Sequence, residues 1–143
     1  MKQVLLWLWQ LPQHLLALIL IRLLGATETF KPPSGIVYWF YKPKNRFGRF
    51  ISGVSLGNYI ILKTKNETTV RHEYGHSVQS RYWGPLYLPV IGLPSAFNNL
   101  WDRLFHKKWP PEKRLKWYYG RWPEKQADRL GGAERYWEGE NNE

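Results

Sequence analysis

The sequence predicts an α+β domain in which a small antiparallel sheet packs on two helices, preceded by an apolar N-terminal helix. Three observations lead to this class. Residues 4–24 are strongly apolar, residues 35–64 hold short β-branched and aromatic runs broken by glycine, and residues 66–80 and 122–132 have the caps and ends of helices. A chain of 143 residues is long enough for one modest core.

Composition narrows the classes of partner. The net charge is +10, and residues 1–130 hold 20 Lys and Arg against 7 Asp and Glu, whereas residues 131–143 hold one Arg and four Glu. A basic body suits nucleic acid or an anionic membrane surface. The nine Trp and nine Tyr favour a membrane lipid surface as the partner, because such side chains settle at membrane interfaces. The sequence has no nucleic-acid-binding motif, so no nucleic acid is expected as a partner. Because cysteine is absent, any metal must be held by His and carboxylate.

The apolar helix within residues 1–26 carries a polar stripe of Gln3, Gln10, Gln13 or His14, and Ala17, and Pro12 should kink it. We expect the stripe to face protein while the remaining surface faces lipid, as in an anchoring or interfacial helix. Two alternatives stay open: a cleaved signal peptide, and a core helix of a soluble cytoplasmic protein.

The next segment predicts the sheet. Residues 27–34 contain two prolines and predict a linker, and residues 42–49 predict a turn. Residues 35–42, 50–55 and 58–64 are typical of strands, which gives a sheet of two to four antiparallel strands.

A helix that starts just before His72 carries the sequence His72-Glu73-Tyr74-Gly75-His76. Residues four apart lie on one helical face, so both imidazoles can bind one ion. Two imidazoles suit Zn²⁺, which in catalytic sites takes three protein ligands and keeps one position for water. Glu73 lies close enough to take a proton from that water, as the general base.

Two segments after this motif are apolar or basic. Residues 82–97 are interrupted by Pro85, Pro89 and Pro94, which predicts either a re-entrant or interfacial hairpin or an extended wrap over the core. Residues 101–116 alternate basic and aromatic residues, which is typical of a membrane-surface segment, with His106 solvated.

Residues 124–130 predict a short second helix, because Pro123 suits its first turn and Gly131-Gly132 its end. Glu124 and Asp128 then share a face. Such a pair offers one carboxylate to complete a zinc site and one to accept the N–H of a ligand histidine, unless both carboxylates face solvent.

These residues resemble the gluzincin zinc metallopeptidases, in which HExxH is followed by a glutamate on a later helix. The resemblance implies His72, His76 and Glu124 as zinc ligands, Glu73 as general base and Asp128 as the residue that orients a ligand histidine. The strings HEYGHSVQS, GPLYLPVIGLPSA and YYGRWPEKQADRLGG also resemble a family of small uncharacterised bacterial or phage proteins with an apolar N-terminal helix. The implied organisation is a zincin-like metallopeptidase domain over residues 27–132 and an acidic tail over 133–143.

The expected function is that of a membrane-associated zinc metalloendopeptidase acting on a peptide or protein substrate. Tyr118, Tyr119 or Arg121 would donate to the oxyanion, and the strand at residues 55–62 would be the edge to which a peptide adds. The alternatives are a non-catalytic zinc-binding scaffold at the membrane, and a membrane-surface protein in which the HExxH pattern is coincidental.

Overall fold

A computed structural model describes residues 1–138, so residues 139–143 of the predicted tail lie outside the described residues. The helices are α1 Lys2–Trp9, α2 Leu11–Leu24, α3 Arg46–Phe50, α4 Glu67–Trp83, α5 Leu93–Phe105, α6 Pro111–Tyr119 and α7 Glu124–Gly131. The strands are β1 Glu28–Phe30, β2 Val37–Phe40, β3 Gly53–Leu56 and β4 Tyr59–Leu62. A 3₁₀ turn, Gly84–Leu86, and a π-helical turn, Leu88–Gly92, connect α4 to α5. The α+β class is therefore confirmed.

The sheet is mixed, so the prediction of a purely antiparallel sheet was wrong. The strand order is β1-β2-β4-β3, and β2 and β4 run parallel. Between them the chain inserts α3 and then β3, whose tight connection to β4 through Gly57-Asn58 turns β4 back into the direction of β2. The helix α3 lies in the predicted turn, and β1 lies in the predicted linker.

Strand β4 shows how the sheet is covered on both faces. Ile61 packs with Ile21 and Leu24 of α2. Its neighbours along the strand, Ile60 and Leu62, point to the opposite face and pack against α4. The sheet therefore lies between α2 and α4, and α7 packs on α4 from beyond the sheet.

The predicted single N-terminal helix is two helices, α1 and α2, bent by 72° at Gln10. Pro12 lies in the first turn of α2, where its missing N–H breaks no helical hydrogen bond, and a continuous helix through it would lose one. Within residues 1–138, no single helix has the length and apolarity to cross a membrane, whereas α1 and α2 together meet both conditions.

In the segment of α1 and α2 the uncharged polar side chains are mostly buried and the apolar side chains are mostly exposed, the reverse of a helix on a protein surface in water. Gln10, Gln13, His14 and Ala17 are all buried, whereas Gln3 is exposed. The His14 ring accepts a hydrogen bond from the Asn58 backbone N–H at 3.0 Å, so it has a structural partner in the sheet. The exposed surface of the pair is mainly apolar, with these residues on it: Val4, Leu5, Leu8, Leu15, Leu18, Ile19 and Leu23.

The segment at residues 82–97 is helical, so the predicted extended wrap over the core is wrong, whereas the re-entrant or interfacial hairpin stays a prediction. Pro85, Pro89 and Pro94 are each the second residue of a new helical segment. Proline is tolerated there because its missing N–H would have had no partner within the helix. The prolines divide the segment into short turns and do not prevent helix formation.

The turn between α5 and α6 holds His106, which is 6% exposed, so the prediction of a solvated histidine was wrong. The His106 ring stacks on Trp109 with centroids 3.7 Å apart and meets the Trp117 ring edge-on. His106 Nδ1 lies 3.1 Å from Asp102, and Arg114 donates to both oxygens of the same carboxylate. This cluster joins α5 to α6.

Candidate metal centre

Helix α4 brings the two histidines of the motif onto one face. Asn66 caps the start of the helix, and its side chain accepts the Thr69 backbone N–H at 3.2 Å. His72 and His76 are 4% and 6% exposed, and their ring centroids are 4.7 Å apart. One turn of helix therefore places both imidazoles together in the interior.

Helix α7 approaches α4 so closely that glycine is required on both sides. A Cβ on Gly75 would overlap the carbonyl oxygen of Ala127, and a Cβ on Gly131 would overlap that of Arg71. This contact brings the fully buried Glu124 against the histidines. Glu124 Oε2 lies 3.0 Å from His72 Nε2 and 3.1 Å from His76 Nε2. The ligand atoms of the three side chains all lie within 4.8 Å of one another.

Each histidine is oriented through its other nitrogen. His72 Nδ1 lies 2.7 Å from Asp128 Oδ1, and Arg135 holds that carboxylate with contacts of 2.8 and 2.9 Å. His76 Nδ1 lies 2.7 Å from the Gln79 side-chain oxygen. The Gln79 amide nitrogen donates to the Pro123 carbonyl, so its oxygen faces the histidine. Both Nδ1 atoms therefore face acceptors and carry a proton.

The consequence for the other ring nitrogens is electrostatic. In neutral imidazoles protonated at Nδ1, both Nε2 atoms present lone pairs, and here both point at the Glu124 carboxylate. Three negative or lone-pair groups at this distance need a cation or protons between them. Within residues 1–138, Glu124 Oε1 is buried without a hydrogen-bond partner. Two imidazole nitrogens and one carboxylate form a donor set that fits Zn²⁺.

Without a metal, a proton can occupy the space between Glu124 and the histidines, and the pKa values reflect this. Burial would lower the pKa of His72, but hydrogen bonds to Asp128 and Glu124 raise it to about 9. Burial would raise the pKa of Glu124, but the charge of His76 and hydrogen bonds from both histidines hold it well below its usual range. The pKa of Asp128 is lowered because His72 and Arg135 outweigh burial.

Glu73 lies in the same cleft and is held by strand β3. The Ser55 hydroxyl donates to Glu73, with Oγ 3.1 Å from Oε2 and 2.5 Å from the main-chain oxygen. A Cβ on Gly53 would lie 2.6 Å from Glu73 Oε1, so the carboxylate packs against the bare glycine backbone. Glu73 is 6% exposed and is not among the three clustered ligand groups. Its side chain lines the cleft beside the cluster.

A cleft of about 630 Å³ opens onto His72, Glu73 and His76, between β3 on one side and α5 and α6 on the other. Strand β3 is the edge strand, whereas Ile60 lies in the interior strand β4, which corrects the expectation of an edge strand over residues 55–62. Lys63 N–H donates to Ser52 O across β3 and β4. By alternation, the backbone groups of Gly53 and Ser55 point away from β4.

The three predicted oxyanion donors are placed differently. Tyr118 and Tyr119 line the cleft, and the Tyr119 ring meets the His72 ring edge-on at 5.1 Å. Burial, and next the charge of Glu124, raise the pKa of Tyr118 well above 10, so its phenol stays protonated as a donor. Arg121 is exposed, with its guanidinium over the Trp117 ring, so the structure does not place it in the site.

Three residues that hold this site were not predicted. Gln79 follows His76 by three positions, so the helical spacing alone could have identified it. Arg135 is the single arginine of the predicted acidic tail, and Ser55 lies in a strand remote in sequence from Glu73. No local pattern indicates either of these two contacts.

Comparison of the chain with protein-family models, curated proteins and solved structures returned no match.

Proposed function

We propose that this protein is a membrane-associated zinc metallopeptidase. The observation that carries the proposal is the convergence of His72 Nε2, His76 Nε2 and a Glu124 oxygen within 4.8 Å, with Glu73 in the adjoining cleft. A structural zinc site is closed by four protein ligands, whereas a catalytic site uses three. Among residues 1–138 the clustered groups number three, and the two histidines of this cluster line the cleft. The gluzincin resemblance supports the same assignment.

The chain's own residues supply the acid–base chemistry. His72, His76 and Glu124 would hold Zn²⁺, which supplies positive charge that polarises a carbonyl and acidifies water. Glu73 accepts the proton of the attacking water and passes it to the leaving amine. Ser55 and the bare backbone at Gly53 keep the Glu73 carboxylate in place. Tyr118 donates a hydrogen bond to the negative oxygen that forms on the attacked carbon.

The open edge of β3 supports a peptide as substrate. The outward backbone groups of Gly53 and Ser55 can pair with an extended chain. Because this pairing uses the main chain of the substrate, it depends little on the substrate sequence. The Ser55 carbonyl already accepts a hydrogen bond from Tyr87 at 2.9 Å, which leaves the Gly53 groups and the Ser55 N–H for a substrate. The arrangement of sheet, α4 and α7 is proposed as a minimal zincin-like core.

The inverted polarity of α1 and α2 supports membrane association. A helix with buried Gln10, Gln13 and His14 and an exposed leucine-rich surface is stable when its outer face contacts lipid. In water the same surface would be a large exposed apolar patch. We therefore place α1 and α2 in or on the bilayer.

Metal content tests the site. Purified wild-type protein should contain one zinc per chain by elemental analysis, and His72→Ala and Glu124→Ala should contain none. Glu112→Gln is the matched control, because Glu112 is an exposed glutamate paired with Lys116 on α6. Absence of zinc from wild-type protein after zinc reconstitution would refute both the peptidase and any zinc scaffold.

Activity then separates the enzyme from the scaffold. Glu73→Gln should keep zinc and lose cleavage of a mixed peptide library by at least about a hundredfold, because the base is removed. If wild-type protein binds zinc and cleaves no peptide in the library, the non-catalytic zinc-binding scaffold becomes the better assignment.

A further inference from the structure

Helix α5 has two faces of different chemistry. One face lines the cleft with Ala96, Asn99 and Asp102. The opposite face repeats exposed apolar residues at helical spacing, namely Leu93, Phe97, Leu100 and Leu104. The rings of Phe97, Trp101 and Phe105 contact one another along this stripe. The helix is thus a wall between the cleft and an apolar outer surface.

The turns that lead into α5 pack on the apolar N-terminal helices. Ile91 and Tyr87, in the turns before α5, pack on Ala17 of α2. Leu86, in the 3₁₀ turn that contacts α2, is 58% exposed. These turns therefore carry an exposed apolar side chain between α2 and α5.

The charge around α5 suits an anionic surface. Lys107 and Lys108 lie two and three residues after Phe105, the last residue of α5, and both are exposed. Residues 93–116 contain six Lys and Arg against two acidic residues. Of those two, Asp102 is turned inward to Arg114 and His106, and Glu112 is paired with Lys116. An apolar stripe that ends in exposed lysines is typical of a helix lying in the interface of a membrane with acidic lipids.

We propose that the outer face of α5 lies on a bilayer containing anionic phospholipid, beside α1 and α2, so that the cleft opens at the membrane surface. The partner is the lipid surface itself. A second statement rests on the proposed peptidase function: the substrates are polypeptide segments held at that surface, because α5 separates the cleft from the lipid by the width of one helix.

The absence of cysteine from the chain makes a direct test practical. Single cysteines replace Leu100, Leu104 or Thr68 in the full-length protein, and each carries an environment-sensitive fluorophore. Thr68 is the control, because it lies in the first turn of α4, at the other end of that helix from the contacts of Ser80 and Arg81 with α2 and α1. With phosphatidylcholine vesicles containing phosphatidylglycerol, the probes at 100 and 104 should shift to shorter wavelengths and be quenched by a nitroxide on the lipid chains. The probe at 68 should do neither.

Three results would overturn the proposal. In the first, the protein floats with the vesicles while the probes at 100 and 104 stay in water. In the second, the probe at 68 shifts as much as they do. In the third, the probes shift without vesicles as protein concentration rises, which shows that a second copy covers the face.

Partitioning onto the vesicles is a second measurement. Leu100→Glu with Leu104→Glu should weaken it by at least about tenfold, whereas Thr68→Glu should not.

Peptide cleavage separates the proposed lipid contact of α5 from the proposed class of substrates. Wild-type protein should cleave a peptide tethered to vesicle lipid faster than the same peptide free in solution, and the double Leu→Glu variant should lose that advantage but keep cleavage of the free peptide. If the lipid contact is present and neither peptide is cleaved, the peptidase function fails and the lipid contact stands. Equal cleavage of both peptides by membrane-bound wild-type protein would overturn the surface substrate class.

Discussion

Two side-chain clusters in this protein have the same three residue types and different surroundings. In one, Asp128 accepts from His72 Nδ1 and from Arg135. In the other, Asp102 accepts from His106 Nδ1 and from Arg114. The Nδ1–Oδ1 distances are 2.7 and 3.1 Å. The difference lies at the rest of the imidazole.

The His72 ring directs its second nitrogen at Glu124, beside a second histidine and an open cleft. The His106 ring is stacked on Trp109 and capped by Trp117, so aromatic carbon covers it. A His–Asp–Arg group therefore fixes the orientation of a histidine ring through its Nδ1 atom. The role of that histidine then depends on what its Nε2 atom faces. In one cluster the free nitrogen faces a carboxylate beside a cleft, and the other cluster joins two helices.

The largest expected difference between the clusters is in metal binding. His76→Ala should abolish stoichiometric zinc, because two ligands cannot hold the ion against competing buffer. His106→Ala should keep one zinc per chain and lower the free energy of unfolding by about 1–3 kcal/mol, since it leaves Asp102 without one partner. Elemental analysis and denaturant unfolding measure the two effects. Loss of zinc in His106→Ala would show that the clusters are not independent.

Substitution of the aspartate in each cluster should give a smaller difference in zinc affinity, by the same chemical change. Asp128→Asn should weaken zinc binding by about 10–100-fold, because the ring of His72 loses its anionic orienting partner. Asp102→Asn makes the same chemical change in the other cluster and should leave the zinc dissociation constant unchanged. Competition with a chromophoric chelator measures both. Equal effects of the two substitutions would contradict the assignment of Asp128 to the metal centre.

Zinc binding should depend on pH through His72. In the metal-free protein the pKa of His72 is raised to about 9, so protonated His72 stabilises the fold fully below pH 6.5 and that contribution is lost as pH rises through 9. Zinc must displace this proton. The zinc dissociation constant should therefore fall by about tenfold per pH unit below pH 9 and level off above it. Isothermal titration in buffers of different protonation enthalpy should show proton release, and its absence would count against His72 as a ligand.

The smallest expected effect concerns the base. Ser55→Ala removes one hydrogen bond to the Glu73 carboxylate and should lower kcat by about fivefold, with zinc content unchanged. Ser34→Ala, a change at an exposed serine outside the cleft, should leave kcat unchanged. Equal losses of kcat in Ser55→Ala and Ser34→Ala would contradict a role of Ser55 in holding the Glu73 carboxylate.

Much of the candidate site could be predicted from local patterns in the sequence. The i, i+4 spacing placed His72 and His76 on one face of α4, and the caps around residues 124–130 placed Glu124 and Asp128 together on α7, where both are buried. The alternation of apolar residues also located three of the four strands. Each of these features depends on residues within one or two helical turns or one strand.

Features that depend on long-range packing were not accessible in the same way. The parallel pairing of β2 with β4 makes β3 the edge strand, and no residue of β3 indicates this by itself. Asp102 and Trp109 bury His106 by contacts within a few residues, but the charged neighbours Lys107 and Lys108 made the segment look solvated. Prolines in residues 82–97 predicted breaks, because their role as helix-starting residues depends on how each turn is packed.

The glycine contact between α4 and α7 has a consequence for the choice of ion. With Gly75 and Gly131 against opposing backbone, the two main chains set the separation of the ligands, and no intervening side chain can change rotamer to widen it. The imidazoles are also held, by Asp128 and Gln79. An ion of larger radius than zinc, such as cadmium, would have to push two helices apart. Ionic size should therefore be discriminated by the backbone of this protein, and Gly75→Ala should relax that discrimination together with the fit to zinc.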